Sequence, residues 1–186
     1  TMPPKVRVVD LVDEVTPAVK VAGSCNAVKR LPDGRLLGDM FDGEGFVRGL
    51  QRKGLVAAMK ELASYVSNQN SLQIEVAADD IYPDASRSIH LYRIVQEIVH
   101  NTIKHAGATL LQFSLKKQNN KLILMSKDNG CGFLYDQKLQ ESGGYGLRNL
   151  LSRTDVLGGE LFVETAPGAG TIYTIEIPLE TESTKP

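Results

Sequence analysis

The chain has 186 residues, 42% of them hydrophobic and 23% charged, and its 21 Lys and Arg nearly balance 22 Asp and Glu at a formal charge of -1. That length suits one domain, or one domain with a substantial extension. The balance excludes a polybasic nucleic-acid-binding tail or an acidic disordered tail as the main theme.

No apolar run approaches the roughly 18 uninterrupted residues that a membrane span needs. The start, Thr1-Met2-Pro3-Pro4, does not read as a signal peptide. Cys25 and Cys131 lie too far apart in sequence, and are too few, for a disulfide framework. Both read as reduced thiols of a cytoplasmic protein. Cys, His and the carboxylates do not cluster at zinc spacing.

Pattern divides the chain near Gly54. In the first part, Val12–Val21 reads as a short helix. Asn26–Leu31 and Arg35–Asp39 read as a hairpin about Pro32-Asp33-Gly34, and Gly43–Arg52 as a helix. The second part begins with an amphipathic helix from Leu55 to about Asn68, where Leu55, Met59, Leu62, Ala63 and Val66 recur at helical spacing. Ser71–Ala77 alternates as a strand, with Leu72, Ile74 and Val76 on one face. A longer helix runs from Asp84 or Ser86 to His105, and Gly107 stands where it should stop. Leu110–Lys116 and Lys121–Ser126 read as strands joined by the turn Gln118-Asn119-Asn120. Residues 129–146 form a long glycine-rich loop. Leu147–Leu157 is a helix ended by Gly158-Gly159. Glu160–Thr165 and Thr171–Pro178 close as a hairpin, and the tail 181–186 is expected to fray. Grouped strands with short hairpins predict an α+β two-layer sandwich, with helices on one face of a mixed, mostly antiparallel sheet.

Four patterns in the second part point to one nucleotide site. Glu97, Asn101 and Lys104 or His105 share one face of the long helix. A carboxylate, an amide and a cation suit a magnesium–phosphate group, although a solvated helix face has the same spacing. Asp128-Asn129-Gly130-Cys131-Gly132-Phe133 leaves a strand end. Its carboxylate can accept from an exocyclic amine, and its glycines let backbone approach a flat ring. A plain turn would look similar. Gly143-Gly144-Tyr145-Gly146-Leu147 opens a helix whose N–H groups can face an anion, with Arg148 and Arg153 nearby in sequence. A capped loop is the plainer account of that segment. Pro167-Gly168-Ala169-Gly170-Thr171 joins the last two strands, as many hairpin turns do.

Taken in order, these patterns resemble the ATP-binding catalytic domain of sensor histidine kinases, a Bergerat-type fold shared with gyrase, Hsp90 and MutL. "YRIVQEIVHNTIKHAGAT" and "GGYGLRNLLSR" are most similar to the kinases that partner helix-turn-helix response regulators. The resemblance covers about residues 55–179. It implies Asn101 as the magnesium ligand and Glu97 as the acidic catalytic residue. It places Lys104 and His105 near the phosphates of ATP. Asp128 would accept from the adenine amine, with Gly130 and Gly132 lining the base. Gly144, Gly146 and Leu147 would follow the end of a lid over about 133–145, and Thr171 would close the adenine pocket.

In such kinases a dimeric helical hairpin bears the phosphoacceptor histidine. His90, His100 and His105 all fall on the long helix, so none is expected to be that acceptor. The phosphoacceptor domain and the response regulator would be separate partners. Residues 10–54 resemble instead a fragment of the shikimate dehydrogenase substrate domain. There Ser24-Cys25-Asn26-Ala27 would carry a substrate-binding Asn26, and Gly38-Asp39-Met40-Phe41-Asp42-Gly43 a vestigial catalytic Asp42. Met40-Phe41 departs from the commoner pattern. The partner lysine and the nicotinamide domain are not expected here. This part would be a chimeric appendage that leans on the ATP domain, pairs in a homodimer, or stays loose.

The resulting expectation is Mg·ATP binding that positions a γ-phosphoryl for transfer to a histidine elsewhere. A gyrase- or MutL-type ATPase, in which Glu97 polarises water, is the rival enzyme. A non-catalytic interaction protein is the alternative of another class.

Overall fold

The computed structural model describes residues 8–22, 25, 27–39, 49–135 and 145–179. It divides into two compact units, one of residues 1–65 and 82–89, the other of residues 66–81 and 90–186.

In the first unit a single turn at Val9–Leu11 leads into strand β1 (Glu14–Val15) and helix α1 (Pro17–Ala22). Strands β2 (Ala27–Arg30) and β3 (Leu36–Asp39) follow, in the sheet order β1-β3-β2. The helix expected over Val12–Val21 is therefore shorter, and a strand precedes it. The cause is long-range pairing. Glu14 and Val15 lie parallel to Leu37 and Gly38, and the Asp13 carboxylate accepts from the Leu36 N–H at 2.7 Å. Pro17 then starts the helix, where its missing N–H costs nothing. The expected hairpin forms between β2 and β3, with Gly34 taking φ +90 in its turn. Gly38 admits a close neighbour: a methyl group there would lie 3.0 Å from Cys25 Sγ. Residues 49–53 are helical. Helix α2 (Leu55–Gln69) buries Leu55, Met59, Leu62, Ala63 and Val66, the stripe its periodicity foretold, and Ala58 besides. Glu61 accepts from Lys53 at 2.9 Å and lies 3.9 Å from Lys20.

The second unit carries a five-stranded sheet of order β4-β5-β6-β8-β7. Its strands are β4 (Gln73–Ala78), β5 (Leu110–Gln118), β6 (Lys121–Asp128), β7 (Glu160–Thr165) and β8 (Thr171–Pro178). Helix α3 (Ala85–Asn101) connects β4 to β5, and α4 (Tyr145–Val156) comes before β7. Strands β4 and β5 pair in parallel, because a whole helix separates them. The other three pairings are antiparallel. The β5–β6 turn is a two-residue one with both asparagines in the left-handed region, Asn119 at φ 50 and Asn120 at φ 57. Asp84 caps α3: its carboxylate accepts from the Arg87 N–H at 3.0 Å.

Every second residue of the central strands is buried, in β5 as far as Leu115. Leu111, Phe113 and Leu115 of β5, Leu122 and Leu124 of β6, and Ile175 and Ile177 of β8 make one apolar face. Leu91, Ile94, Val95 and Ile98 of α3 and Leu150 of α4 are buried as well. No helix among the described residues is long and apolar enough to cross a membrane.

Candidate functional site

The site begins where the buried sheet face turns polar. Ile74, Leu111, Asp128, Thr171 and Thr165 form one row of register partners across all five strands. Strand partners share a face, so the two apolar members and the three polar ones point the same way. Asp128 is 5% exposed. Its carboxylate accepts from the Gly130 N–H at 2.8 Å. Burial pushes the Asp128 carboxyl above its ordinary pKa, while the N–H groups of Gly130 and Thr171 pull it back. In the next row, Tyr173 is pushed up to about 12, first by burial and then by the charge of Asp128 and by Tyr135. It therefore stays a neutral phenol at physiological pH.

The loop after β6 is fixed by two glycines. A methyl group on Gly130 would fall 2.6 Å from Ala106 Cβ and 2.9 Å from Asp128 Oδ1. Gly132 takes φ +58, and a methyl there would run into the carbonyls of Ala166 and Gly170. The Gly168 N–H donates to the Cys131 carbonyl at 2.6 Å. The β7–β8 turn and the D-x-G-x-G loop are thus fastened to one another.

The second wall is the end of α3. The sequence predicts a regular helix to His105, but the α-helix ends at Asn101 and Thr102–Ala106 forms a π-helical turn. The wider turn has a tertiary partner: the Cys131 N–H donates to the Ala106 carbonyl at 2.8 Å, and Cys131 Sγ lies 3.4 Å from the His105 carbonyl. Such turns often accompany functional sites. Gly107 ends the segment at φ 58, as foretold. Thr102 is buried, while Lys104 and His105 are exposed.

The third wall is the first turn of α4. A methyl group on Gly146 would lie 2.8 Å from both Asn101 Nδ2 and Asn101 Oδ1, and 3.0 Å from Glu97 Oε1. The helix therefore brings its N-terminal end onto the amide and the carboxylate of α3. A helix N-terminus leaves its first N–H groups without intrahelical partners and carries a partial positive charge.

These walls enclose a cavity of about 380 Å³, within the range of small-ligand pockets. Eight residues singled out from the sequence line it: Asn101, Lys104, His105, Asp128, Gly132, Gly146, Leu147 and Thr171. Gly130 packs behind them against Ala106, and Glu97 sits beside Gly146. Thr102, Ala106 and Tyr173 line the cavity too, and sequence reasoning missed them. Phe133, read only as the start of a lid, is a fourth. Tyr173 was available from alternation, since it follows Thr171 by two positions on one strand face. Gly144, Asn26 and Asp42 lie outside the described residues, as does most of the predicted lid.

Asn101 and Glu97 offer oxygen atoms side by side, the donor type a hard divalent cation prefers. The same lining offers a buried acceptor in Asp128. The chain therefore has one cavity with an acceptor for a polar ring edge, and an oxygen pair with a helix N-terminus for a charged group.

A family model described as "Histidine kinase-, DNA gyrase B-, and HSP90-like ATPase" matches residues 86–181. The chain is 31% identical over 134 residues to the sensor protein VraS of Staphylococcus aureus, covering 72% of this chain and 38% of the relative. It is 32% identical over 132 residues to the signal transduction histidine-protein kinase/phosphatase DegS of Brevibacillus brevis, covering 69% and 33%. The matched part is thus well under half the length of these relatives. Among solved structures, a blue-light activated histidine kinase of Erythrobacter litoralis has the same fold at TM-score 0.63 and 22% identity, over 76% of this chain and 48% of that one. The ATP binding domain of PrrB from Mycobacterium tuberculosis aligns at TM-score 0.55 and 20% identity, over 70% of this chain and 95% of that one. The cavity, the order of its walls and these matches agree: the chain belongs to the histidine kinase-, DNA gyrase B- and HSP90-like ATPase family, and its ATP-binding domain is of the sensor histidine kinase kind.

Proposed function

We propose that residues 55–180 bind Mg·ATP and hold its γ-phosphoryl for transfer to a histidine outside the sequence described, on a helical element that in turn serves a response regulator. The observation that carries this reading is the pairing of two chemistries in one cavity. Asp128 lines it as a buried acceptor, and Asn101, also in its lining, meets Gly146 beside Glu97. In this reading Asp128 accepts from the adenine amine. Gly130 and Gly132 let the loop backbone lie along the ring, and Thr171 closes the pocket beside it. Lys104, His105, Gly144, Gly146 and Leu147 flank the phosphates, where the N–H groups of α4 face negative charge. Asn101 would hold magnesium through its amide oxygen, with Glu97 next to it. When bound, the ion would offset phosphate charge. The chain's own contribution is positioning and the exclusion of water.

Residues 1–54 are, in the same reading, an appendage with no dehydrogenase activity of its own. Among its described residues the strands are only two to four residues long, too short to build much core.

The test is ATP turnover by the purified chain with magnesium. The kinase reading expects negligible phosphate release without a histidine acceptor. Steady release that Glu97→Gln abolishes would instead make the domain a gyrase-type ATPase.

A further inference from the structure

The hydroxyl of Thr165, at the end of β7, has three polar neighbours. The Phe133 N–H donates to it at 3.1 Å. It donates to the Gly170 carbonyl at 3.0 Å. It lies 3.2 Å from Thr171 Oγ1. A hydroxyl has one proton and two lone pairs. The Gly170 carbonyl can only accept, and Gly170 is buried, so the proton of Thr165 belongs there. The Phe133 N–H occupies one lone pair. The remaining lone pair faces Thr171, and Thr171 must be the donor in that contact.

The consequence falls on the cavity. Thr171 lines it beside Asp128. With its proton turned back to Thr165, Thr171 has only lone pairs left for a ligand. Asp128, as a carboxylate, also only accepts. Asp128 and Thr171, register partners in the lining, are then both acceptors. The surrounding backbone cannot easily relax the arrangement, because Gly132 is packed against the Ala166 and Gly170 carbonyls and Gly168 is tied to Cys131.

We propose that Thr165 is a positioning residue that fixes Thr171 as a hydrogen-bond acceptor and so biases the cavity toward a purine bearing an exocyclic amine over one bearing a carbonyl at that edge. The inference rests on the adenine-nucleotide reading above and adds a determinant of base choice to it. A carbonyl facing two fixed acceptors gains no hydrogen bond from either, which is how a site rejects a near-isostere.

The test uses the full chain and two ligands, ADP and inosine diphosphate, which differ at that edge by an amine for a carbonyl and by a bare N1 for an N1–H. Affinities are measured for the parent, Thr165→Val and Thr165→Ser. The parent should prefer ADP. Valine, which keeps the shape and loses the hydroxyl, frees the Thr171 proton to turn toward the ligand. The ADP preference should then fall by about tenfold, roughly the worth of one hydrogen bond, while serine restores it. A purely structural role would lower both affinities by one factor. That outcome, or an unchanged preference, would overturn the proposal. If the valine variant does not fold, Thr171→Val carries the same test, because it removes the oriented hydroxyl itself. An unchanged ADP preference there is equally fatal. A folded parent that binds neither ligand would overturn the nucleotide reading, and this inference with it. A parent that binds ADP tightly and a valine variant that keeps its full preference would overturn only the inference.

Discussion

Gly146 and Asn101 are packed so closely that no side chain fits between them: a methyl group at 146 would sit 2.8 Å from both amide atoms of Asn101. The contact joins the start of α4 to the end of α3, and it aims the helix N-terminus at the candidate phosphate end of the cavity. Gly146→Ala would push the Asn101 amide aside rather than any backbone. The expected result is a melting temperature near that of the parent and Mg·ATP binding weaker by about 1–3 kcal/mol, the usual range for overpacking a tight site. Thermal melting and calorimetry on the same sample would check it. Equal loss of stability and binding would show that the contact matters only for folding.

Asp128 carries a cost in stability. Burial raises its pKa, so the folded chain binds a proton at this group more tightly than the unfolded chain does. Stability from this group is therefore lost as pH rises from the unfolded to the folded pKa, and the cost persists at neutral pH. Asp128→Asn removes the buried charge. It should melt higher than the parent at pH 7, with the gap closing in acid. The same substitution should weaken ADP binding by about 1–3 kcal/mol. Parent affinity should fall as pH drops through the raised pKa of Asp128. Undiminished ADP affinity in the variant would put the base elsewhere.

Asn101 should matter mostly to the metal. Asn101→Ala and Asn101→Asp are expected to change the magnesium dependence of ATP binding more than the binding measured in chelator. Parallel titrations at several magnesium concentrations would decide. A variant that loses both equally would make Asn101 a contact to the nucleotide instead.

Gly132 is the rigid point of the loop after β6. At φ +58 an alanine pays about 1–2 kcal/mol in backbone strain, and its methyl would also lie 2.8 Å from the Gly170 carbonyl oxygen. Gly132→Ala should lower stability in urea unfolding and abolish nucleotide binding. By comparison, Leu124→Ala in the middle of the buried face should cost about 2–5 kcal/mol of stability. The affinity of the fraction that remains folded should be untouched.

Local chemistry made much of this fold readable. The β5–β6 hairpin could be read from Asn119-Asn120, because a tight turn needs two left-handed residues and asparagine tolerates that region. The stop at Gly107 follows for the same reason. Hairpin β7–β8 was legible from alternation, and the cavity from four short motifs whose order mattered more than any one of them. What escaped depends on distant partners. Nothing near Thr102 announces a π turn; its carbonyls are taken by Cys131 after two intervening strands. Glu14 and Val15 become a strand only because β3 passes beside them. The β4–β5 pairing is parallel because α3 returns the chain to the same end of the sheet. Tyr173 lay hidden in a strand pattern that reads equally well as core.

Binding of Mg·ATP in this cavity is best checked by calorimetric titration of the full chain with a non-hydrolysable ATP analogue, with magnesium and with chelator. Saturable binding to one site, tighter with magnesium, is expected. A folded chain that binds no nucleotide under either condition would contradict it.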